Sequence, residues 1–353
     1  MKRIALLGAT GSIGRQAAEI VERHPELELV AAASGSQPIE GLAPLTQVGG
    51  DLTELLERAR PDVVLNAVVG FAGLPATLWA LERGVTLALA NKESLVAAGD
   101  LALAAQERGG GLLLPVDSEH SAAFQCLEGR SAEQVDSLVL TGSGGPFRGR
   151  RREELEAVTP EEALAHPTWQ MGPKITVDSA TLANKGLELL EAHFLFGVDY
   201  DRIEVVLQPT SVVHALVRFR DGASLAHLGY PDMRVPISFA LTYPERSVTP
   251  VAALDFTSGL ALEFEPPDLE TFPLLALARR AGEEGGTYPC AFNAANEVAV
   301  AAFLEGRLPF LGIAATVDEA LAGIDGAPAR DLDELVEADA EARRLAERGL
   351  RVA

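Results

Sequence analysis

The sequence predicts an α/β protein with a Rossmann-like N-terminal domain, a central α+β domain and a C-terminal helical bundle. A glycine-rich turn near the N-terminus separates an apolar run from a helical pattern, and strand and helix patterns alternate from there to Val116. From Phe272 onward the pattern is helical throughout. We place the domains at residues 1–116, 117–242 and 269–353, with residues 243–268 as a proline-containing linker.

Composition limits the possible partners and the compartment. With 353 residues and 48% hydrophobic content the chain can bury a sizeable core, and a net charge of −22 argues against nucleic acid and anionic membrane surfaces as partners. Cys126 and Cys290 are far apart in apolar helical patterns, as expected of reduced packing residues. The run from Ile4 to Leu7 is too short for a signal peptide, and no run is long enough for a membrane span. We therefore expect a cytoplasmic protein.

The first motif is the turn Gly8-Ala9-Thr10-Gly11-Ser12-Ile13-Gly14, which follows a strand at Arg3–Leu7 and opens a helix that runs to Arg23. Glycines let a backbone approach a pyrophosphate, and the start of a helix offers amide donors to it. The pattern favours a dinucleotide site over a purely structural turn.

The second strand, at 29–33, is followed by Ser34-Gly35-Ser36-Gln37. A site that prefers NADH usually carries an acidic residue here for the ribose hydroxyls, and this chain has none. Small hydroxyl and amide donors suit a 2′-phosphate, so the sequence favours NADPH. Residues 34–50 are rich in Gly, Pro and Ser and are interpreted as a loop, with a helix at 51–59 after it.

Polar residues follow two later strands of the predicted parallel sheet. Asn91-Lys92-Glu93-Ser94 comes after a strand at 85–90, where ligands bind in open α/β sheets, although it could be a charged helix cap. Asp117-Ser118-Glu119-His120 comes after a strand at 112–116. In an extended chain the two carboxylates point the same way and suit Mg²⁺ or Mn²⁺, with Glu188 as a third ligand. The alternative is an N-cap Asp with a first-turn Glu.

A second glycine-rich loop, Thr141–Pro146, follows a strand at 135–140 and could bind an anion through its amides, or be a plain turn. Further strands are predicted at 203–208, 212–219 and 224–229, with a turn at Asp221-Gly222, and a helix is predicted from Pro231 to Leu241.

The segment from His166 to Glu191 carries most of the predicted chemistry. Residues 166–172, with Trp169 between prolines, are interpreted as a loop that acts as a lid, although Trp169 could instead pack against the domain as part of an ordinary surface loop. We expect a short strand at Lys174–Val177, an N-cap at Asp178-Ser179 and one helix from Ala180 to Phe196.

This predicted helix has one polar face with Thr181, Asn184, Lys185 and Glu188. A solvated Lys-Glu pair is the alternative reading of that face. The chain has only four lysines among its 29 basic residues, and three of them, Lys92, Lys174 and Lys185, lie in the motifs described here. Since arginine supplies the other cations, the lysine positions favour a functional site.

These blocks together resemble the 1-deoxy-D-xylulose 5-phosphate reductoisomerase family. The matching blocks are GATGSIG, LANKESLVAAG, LLPVDSEHSAAFQ, LTGSGGPFR, HPTWQMGPKITVDSATLANKGLE, HLGYPDMRVPI and AFNAANEVAVAAFLEG. The resemblance implies conversion of 1-deoxy-D-xylulose 5-phosphate, a small phosphorylated sugar, to 2-C-methyl-D-erythritol 4-phosphate in the non-mevalonate isoprenoid pathway. It also implies NADPH and a divalent cation (Mg²⁺ or Mn²⁺) as cofactors, and a homodimer.

The resemblance also implies roles for individual residues. The metal ligands would be Asp117, Glu119 and Glu188. Residues at the reacting centre would be Lys92, Ser118, Glu119, His166 and Trp169, with Trp169 closing over the substrate. The substrate's phosphate would bind among Ser143, His166, Ser179, Asn184 and Lys185. NADPH would be held by Thr10, Gly11, Ser12, Ile13, Gly35, Ser36, Gln37, Asn91, Glu93 and Gly172.

The chain departs from the family in the cofactor domain, where the stretch between Gln37 and Asp62 is shorter and Ser36-Gln37 replaces a basic or Asn-bearing pair. Two other functions share the N-terminal motif. A semialdehyde or homoserine-type dehydrogenase would not require three carboxylates for a metal, and a non-catalytic NADP-sensing protein would have no reason to keep them.

Overall fold

A computed structural model describes residues 1–350, and the chain divides into two compact units. The first unit contains Met1–Leu95, Gly99–Gln125 and Asp232–Leu254. The second contains Val96–Ala98, Cys126–Pro231 and the described chain from Asp255 on. None of the helices in the described part of the chain has the length and apolar character that a membrane span requires.

Together, the two units contain ten strands and thirteen α-helices within the described residues. The strands are β1 (Lys2–Leu7), β2 (Leu27–Ser34), β3 (Leu45–Val48), β4 (Val63–Asn66), β5 (Thr86–Leu89), β6 (Leu113–Pro115), β7 (Val135–Gly142), β8 (Ile203–Leu207), β9 (Val213–Phe219) and β10 (Ser224–Leu228). The helices are α1 (Ser12–Arg23), α2 (Leu52–Ala59), α3 (Leu74–Glu82), α4 (Lys92–Gly109), α5 (Ser118–Leu127), α6 (Pro160–Ala163), α7 (Pro173–Ala180), α8 (Ala183–Phe196), α9 (Arg234–Thr242), α10 (Leu274–Glu284), α11 (Tyr288–Leu304), α12 (Gly312–Gly323) and α13 (Leu332–Gly349).

The first unit is built on a parallel six-stranded sheet with strand order β3-β2-β1-β4-β5-β6. Its central strands are continuous apolar runs because helices cover both faces of such a sheet. Ile4, Leu6 and Leu65 lie in one core with Ile237 and Leu241 of α9. The Rossmann-like N-terminal fold that the sequence predicted is confirmed.

One prediction in this unit is wrong, because residues 34–50 are not all loop. Leu45–Val48 forms β3, which pairs in parallel with β2 in the register Ala31↔Leu45 to Ser34↔Val48. The strand alternates between half-buried and exposed residues at the edge of the sheet. Four residues among Gly, Pro and Ser carry too little periodicity to be recognised, and pairing with β2 decides their conformation.

The second unit has a four-stranded sheet of order β10-β9-β7-β8, in which β7 and β8 run parallel and the other neighbours are antiparallel. The predicted hairpin is present, with Gly222 at a φ of 87° in its turn. Helices α8 and α10 to α13 share a core that includes Phe292 and Phe303. The helical C-terminal region is confirmed, and residues 351–353 of that predicted domain lie outside the described chain.

The central segment folds differently from its prediction. Lys174–Val177 is not a strand, since Pro173–Ala180 forms helix α7 with Gly172 as N-cap and proline in its first turn. Asp178 and Ser179 are therefore inside a helix and do not cap one. The helix expected from Ala180 begins only at Ala183, because Leu182 has a φ of 62° and interrupts it. Pro173 favours a helix start, which outweighs the β-branched residues that suggested a strand.

Candidate active site

The glycine turn after β1 packs tightly and leads directly into helix α1. Gly8 has a φ of 82°, and a Cβ placed on Gly14 would lie 2.2 Å from the Gly8 carbonyl oxygen. Gly11 is the N-cap of α1 and has no side chain with which to cap it, so the first amides of the helix are available to a ligand. The predicted residues 10–13 all lie in this turn.

The other predicted cofactor residues of this unit fall into two groups. Gly35, Ser36 and Gln37 are exposed after β2, and no atom lies within 4 Å of a Cβ placed on Gly35. Asn91 is buried, and its Nδ2 donates to the carbonyls of Val68 (2.7 Å) and Gly70 (2.8 Å). Its side chain thus holds the loop after β4 in place.

Sequence reasoning missed a second buried asparagine with a similar function. Asn66 ends β4, is 0% exposed, and donates through Nδ2 to Gly73 O (2.8 Å) and Thr77 Oγ1 (3.0 Å). Thr77 in turn donates to Ser94 Oγ at 3.2 Å. A polar residue that closes a buried apolar strand is the signal that could have identified it.

The predicted carboxylates of this unit are brought beside a lysine. Lys92 Nζ lies 2.7 Å from Asp117 Oδ2, and the side chains are 6% and 13% exposed. The chain is not extended here, because Asp117 precedes α5 and its Oδ1 accepts from the Glu119 amide at 3.2 Å. The extended backbone that was expected is therefore wrong, and Asp117 caps α5 while Glu119 lies in its first turn. The two carboxylates nevertheless lie together as predicted, with an oxygen of one within 4.8 Å of an oxygen of the other. Capping a helix does not require a buried lysine beside the capping residue, so the contact of Lys92 with Asp117 indicates a further role for this carboxylate.

In the second unit, His166 links two serine hydroxyls. Its Nε2 lies 3.0 Å from Ser143 Oγ and 3.1 Å from Ser179 Oγ, while its Nδ1 accepts from the amides of Thr168 (3.2 Å) and Trp169 (3.0 Å). Because Nδ1 accepts twice, the neutral ring carries its proton on Nε2. Burial lowers the pKa of His166, which favours this neutral form.

The second glycine-rich loop is more than a plain turn. Gly144 and Gly145 have φ values of 85° and 68°, and a Cβ on Gly145 would lie 2.7 Å from the Ser179 carbonyl oxygen. The Gly145 amide also donates to Ser143 Oγ at 3.1 Å. Glycine is required so that the loop can pack directly on the end of α7 and bring Ser143 near Ser179.

Helix α8 brings together three predicted residues, of which Lys185 and Glu188 are buried and Asn184 is half-buried. Asn184 Nδ2 donates to Glu188 Oε1 at 2.5 Å, and Lys185 pairs with Glu188 Oε2 while also donating to Thr141 O at 2.8 Å. Lys185 and Glu188 side chains are only 6% and 1% exposed. The alternative of a solvated surface pair is therefore wrong. Thr181 lies outside α8 and its hydroxyl bonds back to α7.

Residues 166–172 form a loop, as predicted, and Trp169 is half-buried in it. Its ring centroid lies 6.3 Å from that of His214, which lies 5.7 Å from that of His227. Thr168 Oγ1 is 3.4 Å from Ser211 Oγ. Sequence reasoning did not single out Ser211, which lies between two predicted strands, or His214 and His227, which lie on predicted strands, because isolated polar residues carry no local signal.

The three lysines of the predicted motifs share one feature, since each forms an ion pair with a carboxylate in its own unit. The pairs are Lys92–Asp117, Lys174–Asp178 and Lys185–Glu188. The fourth, Lys2, donates to the carbonyls of Leu241 and Tyr243 and has a structural role. Each of the four lysines thus places a compact ammonium against oxygen acceptors, and Lys92 and Lys185 are buried there.

Family models match most of the chain. A model of 1-deoxy-D-xylulose 5-phosphate reductoisomerase matches residues 4–48 and 46–99, and the model of that enzyme's C-terminal domain matches 113–196. A DXP reductoisomerase C-terminal domain model matches 228–345. A 1-deoxy-D-xylulose 5-phosphate reductoisomerase from Geobacillus kaustophilus is 50% identical over 97% of this chain and 98% of its own. The chain belongs to the 1-deoxy-D-xylulose 5-phosphate reductoisomerase family.

Solved structures of the reductoisomerase family have the same fold. The Zymomonas mobilis enzyme in complex with NADPH matches with a TM-score of 0.90 and 39% identity, covering 99% of each chain. A DOX-P reductoisomerase in complex with NADPH, fosmidomycin and magnesium matches with a TM-score of 0.91 and 36% identity, covering 100% of this chain and 99% of the other. The dehydrogenase and NADP-sensor alternatives are set aside by this membership.

Proposed function

We propose that the protein converts 1-deoxy-D-xylulose 5-phosphate to 2-C-methyl-D-erythritol 4-phosphate, using NADPH and a divalent cation. The observation that carries the proposal is the cluster of Asn184, Lys185 and Glu188 on α8, in which Lys185 and Glu188 are buried. In the structure Lys185 supplies the cation that the buried carboxylate of Glu188 needs. A divalent ion bound by Glu188 would take over that role and leave the ammonium for an anionic, phosphorylated substrate.

The proposed metal ligands are Asp117, Glu119 and Glu188. Three carboxylates offer hard oxygen donors of the kind that Mg²⁺ and Mn²⁺ prefer, and lysine already compensates two of these charges, at Asp117 and Glu188. When bound, a divalent cation polarises a ketone and lowers the pKa of a neighbouring hydroxyl. Lys92, whose ammonium lies 2.7 Å from Asp117 Oδ2, would contact oxygens of the bound substrate.

The proposed phosphate site is the group of donors around His166. The Nε2–H of the neutral ring and the hydroxyls of Ser143 and Ser179 converge, and each can donate to a phosphate oxygen. Lys185, which reaches the carbonyl of Thr141 at the start of the same glycine loop, supplies positive charge. These donors would hold the substrate by the end that does not react.

The proposed cofactor site is the turn at residues 10–13 together with Gly35, Ser36, Gln37, Asn91, Glu93 and Gly172. NADPH supplies the hydride that reduces the rearranged aldehyde. The glycine turn provides backbone amides for the pyrophosphate, and the exposed donors after β2 would face the 2′-phosphate. Trp169 and its loop would then close over the site and exclude water.

The test is an NADPH-oxidation assay with 1-deoxy-D-xylulose 5-phosphate. We expect turnover that stops on addition of a chelator and returns with Mg²⁺ or Mn²⁺. We expect a higher kcat/KM with NADPH than with NADH, because no acidic residue follows β2. Turnover that survives complete chelation, or equal kcat/KM for both nucleotides, would contradict the respective part of the proposal.

A further inference from the structure

A buried polar contact joins helices α7 and α11 within the second unit. Asn296 Nδ2 donates to Asp178 Oδ1 at 2.8 Å, although the two residues are 118 positions apart in the sequence. Asp178 is 1% exposed and Asn296 is 0% exposed. Lys174 Nζ lies 2.9 Å from Asp178 Oδ2 and is one turn earlier on α7. The carboxylate is thus bound on one oxygen by an amide and on the other by an ammonium.

This arrangement is demanding because a carboxylate loses its hydration when it is buried. It is tolerated only where charge and hydrogen bonds replace the lost water. The ammonium comes from the same helix, so the Lys174–Asp178 pair does not itself join α7 to another helix. The bond to Asn296 does reach another helix, and it restrains where α7 can sit on α11.

Asp178 lies directly before the proposed phosphate site. The next residue, Ser179, has its Oγ 3.1 Å from His166 Nε2. The carbonyl oxygen of Ser179 also packs closely against the glycine loop, since a Cβ placed on Gly145 would lie 2.7 Å from it. A shift of α7 along α11 would therefore move Ser179 away from both His166 and the loop that carries Ser143.

We propose that Asp178 and Asn296 are positioning residues that lock α7 onto α11 and so hold Ser179 and His166 in the geometry that binds the substrate's phosphate. Neither residue contacts the substrate itself. The proposal rests on the proposed function of this site, and it assigns a role to two residues that the predicted site did not include. Its consequence is that the C-terminal helical region contributes to phosphate affinity through this hydrogen bond.

The main test compares Asn296→Ala with a matched control in the same helix. Asn293 is also 0% exposed, but its Nδ2 donates to Glu297 Oε1 at 3.0 Å within α11 itself. Both alanine variants remove a buried amide from α11, so both should lower the Tm. We expect Asn296→Ala alone to raise KM for 1-deoxy-D-xylulose 5-phosphate and Ki for a phosphonate inhibitor in parallel, each by about tenfold or more, with KM for NADPH unchanged.

Exchanging the residues at positions 178 and 296 tests whether a restored contact also restores substrate affinity. Asp178→Asn alone weakens the contact, because two amides face each other where a carboxylate accepted from an amide. Combining Asp178→Asn with Asn296→Asp restores one carboxylate and one amide at the contact, but moves the carboxylate away from Lys174. The double variant should therefore recover part of the substrate affinity lost in Asp178→Asn, which a general loosening of the core would not allow. It also covers the case in which Asn296→Ala does not fold.

Hydrogen exchange gives a readout that does not depend on substrate. The amides of residues 179–181 should exchange faster in Asn296→Ala than in Asn293→Ala. If the two variants show the same KM and the same exchange, the positioning role is wrong. If the unmodified protein shows no turnover of 1-deoxy-D-xylulose 5-phosphate, the proposed function fails, and the exchange experiment still decides whether Asn296 holds α7.

Discussion

Glu188 is the residue on which the proposed chemistry depends most directly. Its carboxylate is buried between the amide of Asn184 and the ammonium of Lys185. Glu188→Gln keeps the size of the side chain but removes a charge that a metal ion needs. We expect turnover to fall by at least about 1000-fold while the Kd for NADPH, measured by fluorescence, stays within about twofold.

The same helix offers a matched control for this prediction. Glu191 is one turn further along α8, is also 1% exposed, and is not a proposed ligand. Glu191→Gln should retain Mn²⁺ binding, measured by electron paramagnetic resonance, whereas Glu188→Gln should weaken it strongly. A parallel loss of NADPH affinity and turnover in Glu188→Gln would contradict its assignment as a metal ligand.

His166 makes the stability of the protein depend on pH. Burial lowers the pKa of His166 below its ordinary value of 6.5, so the unfolded chain binds the proton more readily than the folded one. The associated stability is present above pH 6.5 and is lost as the pH falls through the folded pKa. We expect the free energy of unfolding, from urea titrations, to drop more in the unmodified protein than in His166→Gln between about pH 8 and about pH 5. Equal drops would show that His166 does not contribute.

At the scale of elements, the glycine loop after β7 packs closely on α7, and substitution of its glycines tests that contact. Gly145 combines a positive φ with a close approach to Ser179, whereas Gly149 has a φ of 80° but no neighbour within 4 Å. Alanine at either position meets the same backbone strain, of about 1–2 kcal/mol. Gly145→Ala should lower the free energy of unfolding by at least about 1 kcal/mol more than Gly149→Ala, because only the first also clashes. Denaturant titration of both variants measures the difference.

The loop at 166–172 is expected to act as a lid. Trp169 is half-buried, whereas Trp79 is buried and its Nε1 donates to Glu57 Oε1 at 2.9 Å. A hydroxamate phosphonate inhibitor with metal and NADPH should therefore shift the fluorescence of Trp169 and protect the loop from protease. A Trp79→Phe background isolates the Trp169 signal.

Substitution of Trp169 distinguishes a role in a lid from a role in packing. Trp169→Ala should lower kcat/KM at least about tenfold, equivalent to about 1.4 kcal/mol of transition-state stabilisation, with almost no change in Tm. A variant that melts several degrees earlier and keeps its kinetics would show that Trp169 is a packing residue.

For the whole molecule, the resemblance to the family implies a homodimer. The four-stranded sheet offers an edge for association, since β10 lies at its border and Leu225 is 38% exposed. We expect light scattering to give twice the chain mass of 37.2 kDa across the concentrations used for assays. A mass of one chain at those concentrations would exclude a stable dimer.

Much of the fold was predictable because its signals are local. The glycine turn of Gly8 to Gly14, the buried apolar strands and the helical periodicity after Phe272 each depend on residues close in sequence. The predicted site residues of the α8 cluster also came from one stretch of chain, where helical spacing alone puts Asn184, Lys185 and Glu188 together. Lysine usage, with four in the whole chain, pointed to the same residues.

What the sequence alone determined, then, is the order of most elements, the residue types of the site and the family to which they belong. Only the tertiary structure revealed β3, which forms by pairing with β2, and the break at Leu182 that divides the central segment into α7 and α8. The contacts of Asp178 with Asn296 and of Ser143 with His166 were equally unpredictable, since they join residues far apart in sequence. Their energies arise from burial and long-range packing, which a local pattern does not encode.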